Sequence, residues 1–203
     1  MDLDRISTRA AELAVSFGVR APRVVAGKVP AWVIEGLRYS VRKQPVITVG
    51  AGFGGMTAAE QDGALANAIV ASDLYRIGAV KILLTYSLCF VAVGGPLVFV
   101  AAYHRTPTWV TLSVYGALYA LGYLLTFALR SRRVIYRVDH RVAEVLGRPV
   151  VDLMIDHDIR HEHMIPGFVR LFLLVYGPTV AQRVRRLDTT FGAHHIAGWP
   201  ARS

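Results

Sequence analysis

Residues 82–103 and 108–129 each run for 22 positions without an Asp, Glu, Lys, Arg or His. A helix needs about 20 apolar residues to cross the hydrocarbon core of a bilayer, so either run is long enough. Only "HRTPT" (104–108) links them, too short for a domain, and the pair reads as an antiparallel transmembrane hairpin. Two helices buried in a soluble core is the weaker reading, because too little chain remains to wrap them. Tyr103 and Trp109 sit at the turn, where interfacial aromatics are expected. Arg76, Lys81, Arg130, Arg132, Arg133 and Arg137 flank the hairpin on the terminal side, against Arg105 in the turn. The positive-inside rule then places both termini in the cytoplasm of a multi-pass cell-membrane protein, with the lipid bilayer as its first partner.

Composition agrees with a membrane. Hydrophobic residues make up 54% of the 203 and charged residues 18%, with a net charge of +9. Such a balance in a membrane protein reflects flanks facing anionic lipid. Among the 23 cationic side chains only Lys28, Lys43 and Lys81 are lysines, a bias that suggests a GC-rich bacterial genome. Cys89 is the sole cysteine and lies in an apolar run, so neither a disulfide nor a thiolate metal site is available. The opening "MDLDRISTRAAEL" lacks the apolar stretch of a signal peptide.

The polar remainder, 1–81 and 130–203, reads as one domain interrupted by the hairpin. Residues 4–17 form an amphipathic helix stopped by Gly18. "RVVAG" (23–27), "AWVIEGL" (31–37) and "PVITVG" (45–50) read as short strands of a small sheet. Thr57 and Glu60 form a capping box, which starts a helix near Ala58. The second membrane helix continues to Gly147, with Pro149 as a stop. Further helices cover about 150–162 and 178–188, and "HHIAGWPARS" reads as a tail.

In this order the chain resembles the HtpX-like integral-membrane zinc metallopeptidases over about residues 5–188. "AAELAVSFGVRAPRVV" is similar to that family's leading helix and first strand, and "PVITVGAGFGGMTAAEQDGALA" to its strand, turn and entry to the active-site helix. "RVDHRVAEVLG" is similar to the helix of the third zinc ligand, and "YGPTVAQRVRRL" to the closing "HPPTxxRxxxL". The resemblance implies an α+β fold: a mainly helical membrane protein whose hairpin is inserted in a zincin-like cytoplasmic domain.

It does not imply the chemistry. Zincins hold zinc on two His four apart, with a Glu base beside the first and a third ligand from another helix. Here those positions carry Asn67, Ala68, Ala71 and Ile135, and residues 1–103 contain no His. Zinc is therefore expected to be absent. The substrate-holding stretch is altered to "PAWVIEG" (30–36), and Gly177 stands where the closing segment has His. Asp139, which in the family supports the metal site, has no His to orient, and a salt bridge to Arg137 or Arg141 is its expected role. Glu60, Gly147, Pro178, Arg183 and Leu187 persist as scaffold.

One rival site exists: His157 and His161, four apart with Asp158 beside the first, and His163, His194 or His195 as a third ligand. Its charged neighbours make a solvated helix end the better reading. "QRVRRLD" (182–188) lacks interleaved aromatics, so no nucleic acid is expected. The expected function is a catalytically inactive, metallopeptidase-like membrane protein that binds, regulates or serves another membrane protein or complex. An extended peptide added at the edge strand Val46, Ile47, Thr48 and Val49 needs no metal. The alternative is an active membrane metallopeptidase built on His157 and His161.

Overall fold

The computed structural model describes residues 2–40, 44–104 and 107–192. Helix α1, Leu3–Ser16, starts where the Arg5 N–H donates to the Asp2 carboxylate at 3.1 Å. Its stripe of Ile6, Ala10, Leu13 and Ala14 is buried, as the spacing predicts. Three strands follow: β1 (Arg23–Ala26), β2 (Leu37–Ser40) and β3 (Val46–Val49). They pair in the order β1-β3-β2, with β3 parallel to β1 and antiparallel to β2.

This sheet departs from the sequence expectation in two ways. The stretch 31–36 is a run of turns, and the strand begins only at Leu37. Gly36 makes that switch: its φ is +60°, and a Cβ there would lie 2.4 Å from the Phe53 backbone nitrogen. Strand β3 is also central, so Val46, Ile47, Thr48 and Val49 are paired on both sides and offer no edge to a peptide. The edges belong to β1 and β2.

Beyond a 3-10 turn at Ala51–Gly55 runs helix α2, Ala58–Tyr103. Its first turn is the expected capping box: the Thr57 N–H donates to Glu60 Oε2 at 2.8 Å, and the Glu60 N–H to Thr57 Oγ1 at 3.3 Å. The N-terminal part of α2 threads the core, with Ala64, Leu65, Ala66, Ala68, Ile69 and Val70 all buried. Helix α3, Thr108–Leu146, packs on α2 in the opposite direction: the Tyr86 hydroxyl donates to the Tyr119 carbonyl at 2.5 Å, and the Phe90 ring lies 4.3 Å from that of Tyr115. Gly94 leaves the room that the Tyr115 ring occupies.

Among the described residues, α3 is the one helix long and apolar enough to cross a membrane, and its apolar part is almost wholly uncovered by the rest of the chain. The C-terminal part of α3 returns to the core through Val134, Val138 and Val142. Gly147 ends it at φ +88°. Pro149 lies in the first turn of α4, Arg148–His161, so it opens the next helix and does not follow a stop. Helices α5 (Gly167–Tyr176) and α6 (Val180–Phe191) complete the chain, and a second capping box, Thr179 with Gln182, starts α6. The protein is thus mostly helical with one three-stranded sheet. The tail beginning at His194 lies outside the described residues.

Candidate functional site

Five polar side chains from distant parts of the sequence meet around one small cavity: Glu35, Asn67, Asp139, Asp158 and Arg183. Asn67 projects from α2, and its amide donates to Glu35 Oε1 at 2.9 Å, fastening the 31–36 turn to the helix. Asp139, buried on α3, is met by Arg183 of α6. Arg183 Nε donates to Oδ2 and Nη2 to Oδ1, each at 2.8 Å, a bidentate fork. Arg183 Nη1 also donates to Asp158 Oδ2 at 3.1 Å. The partner of Asp139 is therefore Arg183, one turn into a helix 44 residues away, and not Arg137 or Arg141.

Two carboxyl groups thus share one guanidinium, and a third, Glu35, lies in its field. Burial and the neighbouring Asp158 push the Glu35 carboxyl up to about 7, although the Asn67 amide and Arg183 favour its charge. Burial likewise raises Asp158, against the pull of Arg183. Burial opposes the charge of Arg183, but Asp139 and Asp158 outweigh it and raise its pKa. The cavity among these groups is about 10 Å³, room for one water at most.

Of the positions that the resemblance assigns to zinc, Asn67 borders this cavity and Ile135 borders the cleft beside it, while Ala68 and Ala71 are buried among apolar neighbours. That cleft is about 500 Å³ and shares Glu35, Asp158 and Arg183 with the cavity. Its walls are apolar, from Trp32 and Ile34 on one side to Val169, Leu173 and Leu174 of α5 on the other.

The histidine cluster is placed differently. His157 is buried, its Nδ1 is 3.4 Å from Glu60 Oε1, and neither ring nitrogen has a hydrogen-bond partner. Its ring packs 4.3 Å from that of His161, whose Nδ1–H donates to the His157 carbonyl at 2.9 Å. His163 is exposed and its Nδ1–H donates to the Arg160 carbonyl at 3.1 Å. His194 and His195 fall outside the described residues. Asp158, cast beside His157 as a base, instead faces Arg183. Burial disfavours the charge of Glu60, but the Thr57 N–H and hydroxyl, then Arg160 and His157, outweigh it and hold its carboxyl down to about 2. His157 thus adjoins the cap of α2. Among the described residues, no three His, Cys, Asp or Glu side chains are grouped to hold a metal ion.

Glu35 escaped the sequence reading, which placed it mid-strand. The Gly36 that follows it was the available signal for a turn. Comparisons with protein-family models, curated proteins and solved structures found no match to this chain.

Proposed function

We propose that the chain is a membrane-anchored, catalytically inactive relative of the HtpX-like metallopeptidases that works by binding another membrane protein or a segment of one. The observation that carries this reading is the surroundings of Asn67: its amide is spent on Glu35 Oε1, while Ala68 and Ala71 on the same helix and Ile135 on α3 offer no lone pair to a metal. The acids that line the cavity beside it, Asp139 and Asp158, are held by the guanidinium of Arg183, which neutralises carboxylates but cannot activate water as zinc does.

In this reading α2 and α3 form a two-helix membrane hairpin with both termini in the cytoplasm, which makes the protein multi-pass. Helix α5 supports it. Phe168, Leu171 and Val175 form an exposed apolar stripe, although the helix has only 10 residues and cannot span. Its last residue, Tyr176, packs on Phe127 near the end of the apolar part of α3, and Arg132 Nη2 donates to the Val175 carbonyl at 3.2 Å. The stripe thus lies beside the level at which α3 turns from apolar to basic, the depth expected of an in-plane helix.

The cleft replaces the sheet edge as the place for a bound segment. Its apolar walls and acidic floor suit an extended peptide, with no strand addition. A photo-crosslinker at Trp32 or Ile135 of the full chain should trap such a segment, whereas one at Val15, exposed on α1, should not. Incubation with an unfolded protein substrate and added zinc should yield no cleavage. Zinc-dependent cleavage abolished by a chelator would overturn the reading.

The second reading, an active metallopeptidase on His157 and His161, is favoured by the ring of buried His157, neither of whose nitrogens makes a hydrogen bond, although Nδ1 lies 3.4 Å from Glu60. The Nδ1 of His161 is already committed to a carbonyl, and the third histidine is exposed.

A further inference from the structure

On the face of α3 remote from the cleft lies a groove of about 740 Å³ to which no role has been given. Four segments build it: the end of α1 with Phe17 and Val19, α2 with Val70 and Leu74, α3 from Arg133 to Glu144, and α6 with Arg186. Its floor is apolar and its rim is cationic. Arg133, Arg137 and Arg141 recur every fourth residue along α3, so they stand on one helix face. Arg186 joins them from α6, its guanidinium 4.7 Å above the Tyr136 ring, a stacking that fixes its direction.

The charge is not balanced within the groove. Glu144 lies 3.4 Å from His140 and 3.6 Å from Arg141, both on its own helix. Asp73 is the only other acid lining it. Arg133, Arg137 and Arg186 have no carboxylate partner among the described residues. Three guanidiniums around a concave, partly apolar floor match an anion with a small polar body and an apolar extension. A guanidinium fork suits the oxygens of a phosphate in particular.

Position selects the source of that phosphate. Arg133 is four residues beyond Leu129, the last of the apolar run, hence about 6 Å along the helix from the hydrocarbon edge. Arg137 is one turn further, about 12 Å out. This is the depth of the headgroup layer if α3 spans the bilayer, and the inference rests on that membrane reading. We propose that the groove between α1, α2, α3 and α6 is a binding site for the phosphate headgroup of one net-anionic phospholipid, held by Arg133, Arg137 and Arg186.

The test uses the full chain in detergent, with bound lipid counted by native mass spectrometry during titration with phosphatidylglycerol, phosphatidylcholine or inorganic phosphate. The expected result is one phosphatidylglycerol per chain, held at least about tenfold more tightly than phosphatidylcholine. The triple variant Arg133→Gln/Arg137→Gln/Arg186→Gln should lose about tenfold or more in affinity. The pair Arg130→Gln/Arg185→Gln, two arginines that do not line the groove, should retain it. Equal loss in that pair would overturn the site in favour of diffuse charge. Inorganic phosphate binding as tightly as the lipid would overturn the lipid source. Because Arg133, Arg137, Arg185 and Arg186 are exposed and Arg130 is half-buried, circular dichroism should show the variants folded, and a misfolded triple variant is replaced by Arg137→Gln alone with a proportionate loss. Flotation with vesicles separates this inference from its premise: wild type and triple variant should both float, and a wild type that does not float removes the membrane reading itself.

Discussion

Arg183 and Asp139 form a two-point fork, both bonds 2.8 Å, between α6 and the part of α3 that follows its apolar run. Asp139 is buried and the Arg183 side chain is 14% exposed, so each charge depends on the other for solvation. Breaking one side strands a buried charge, whereas removing both can be nearly neutral. Arg183→Met should therefore destabilise the protein by about 3–5 kcal/mol, and Arg183→Met/Asp139→Leu should recover a substantial part of that loss. Urea unfolding in detergent measures both variants.

Stability should fall as pH rises through the range set by Glu35. In the unfolded chain a Glu carboxyl releases its proton near pH 4.3, whereas in the folded state Glu35 holds it up to about 7. Between these values the folded state binds the extra proton, so each increase in pH favours unfolding. The full effect is of order 3 kcal/mol, an upper figure for a group that solvent partly reaches. Glu60 acts in the opposite direction and lower: held at about 2, its contribution is complete above the unfolded value and is lost as pH falls toward 2. Thermal unfolding at pH 5 and pH 8 should show a shallower difference in Glu35→Gln than in wild type.

The turn that carries Glu35 depends on Gly36. A side chain there meets both a positive φ and the Phe53 backbone. Gly36→Ala should cost more than about 1 kcal/mol and release Glu35 from Asn67. Loss of the Glu35→Gln pH effect in the Gly36→Ala background is the check.

The proposed kinship with the HtpX-like peptidases predicts that supplying their ligands creates a metal site. Asn67→His/Ala68→Glu/Ala71→His/Ile135→Glu is expected to bind zinc, measured by elemental analysis on folded protein. A folded quadruple variant without zinc would contradict the register in which Asn67 stands for the first ligand.

The elements legible in the sequence were those with local signals. The Thr57–Glu60 box and the α1 stripe need only a few residues, and the apolar run of α3 needs only length. Strand order is a non-local property, which is why "PVITV" reads as an edge although β3 lies between β1 and β2. The residues of "AWVIEGL" suit a strand, but Gly36 breaks the run into turns. The sequence offers Asp139 only its neighbours Arg137 and Arg141, because the true partner, Arg183, arrives through the packing of α6 on α3. Helix α5 is a ten-residue segment after Pro166 with Arg170 as its one charged residue, too short for its period to stand out in the sequence.

The most direct test of a centre that has Asn67, Ala68, Ala71 and Ile135 in place of zinc ligands is the zinc content of the purified chain after mild chelation. The predicted result is far less than one zinc per chain, unchanged in His157→Ala. Stoichiometric zinc that survives chelation, and disappears together with peptidase activity in His157→Ala, would contradict it.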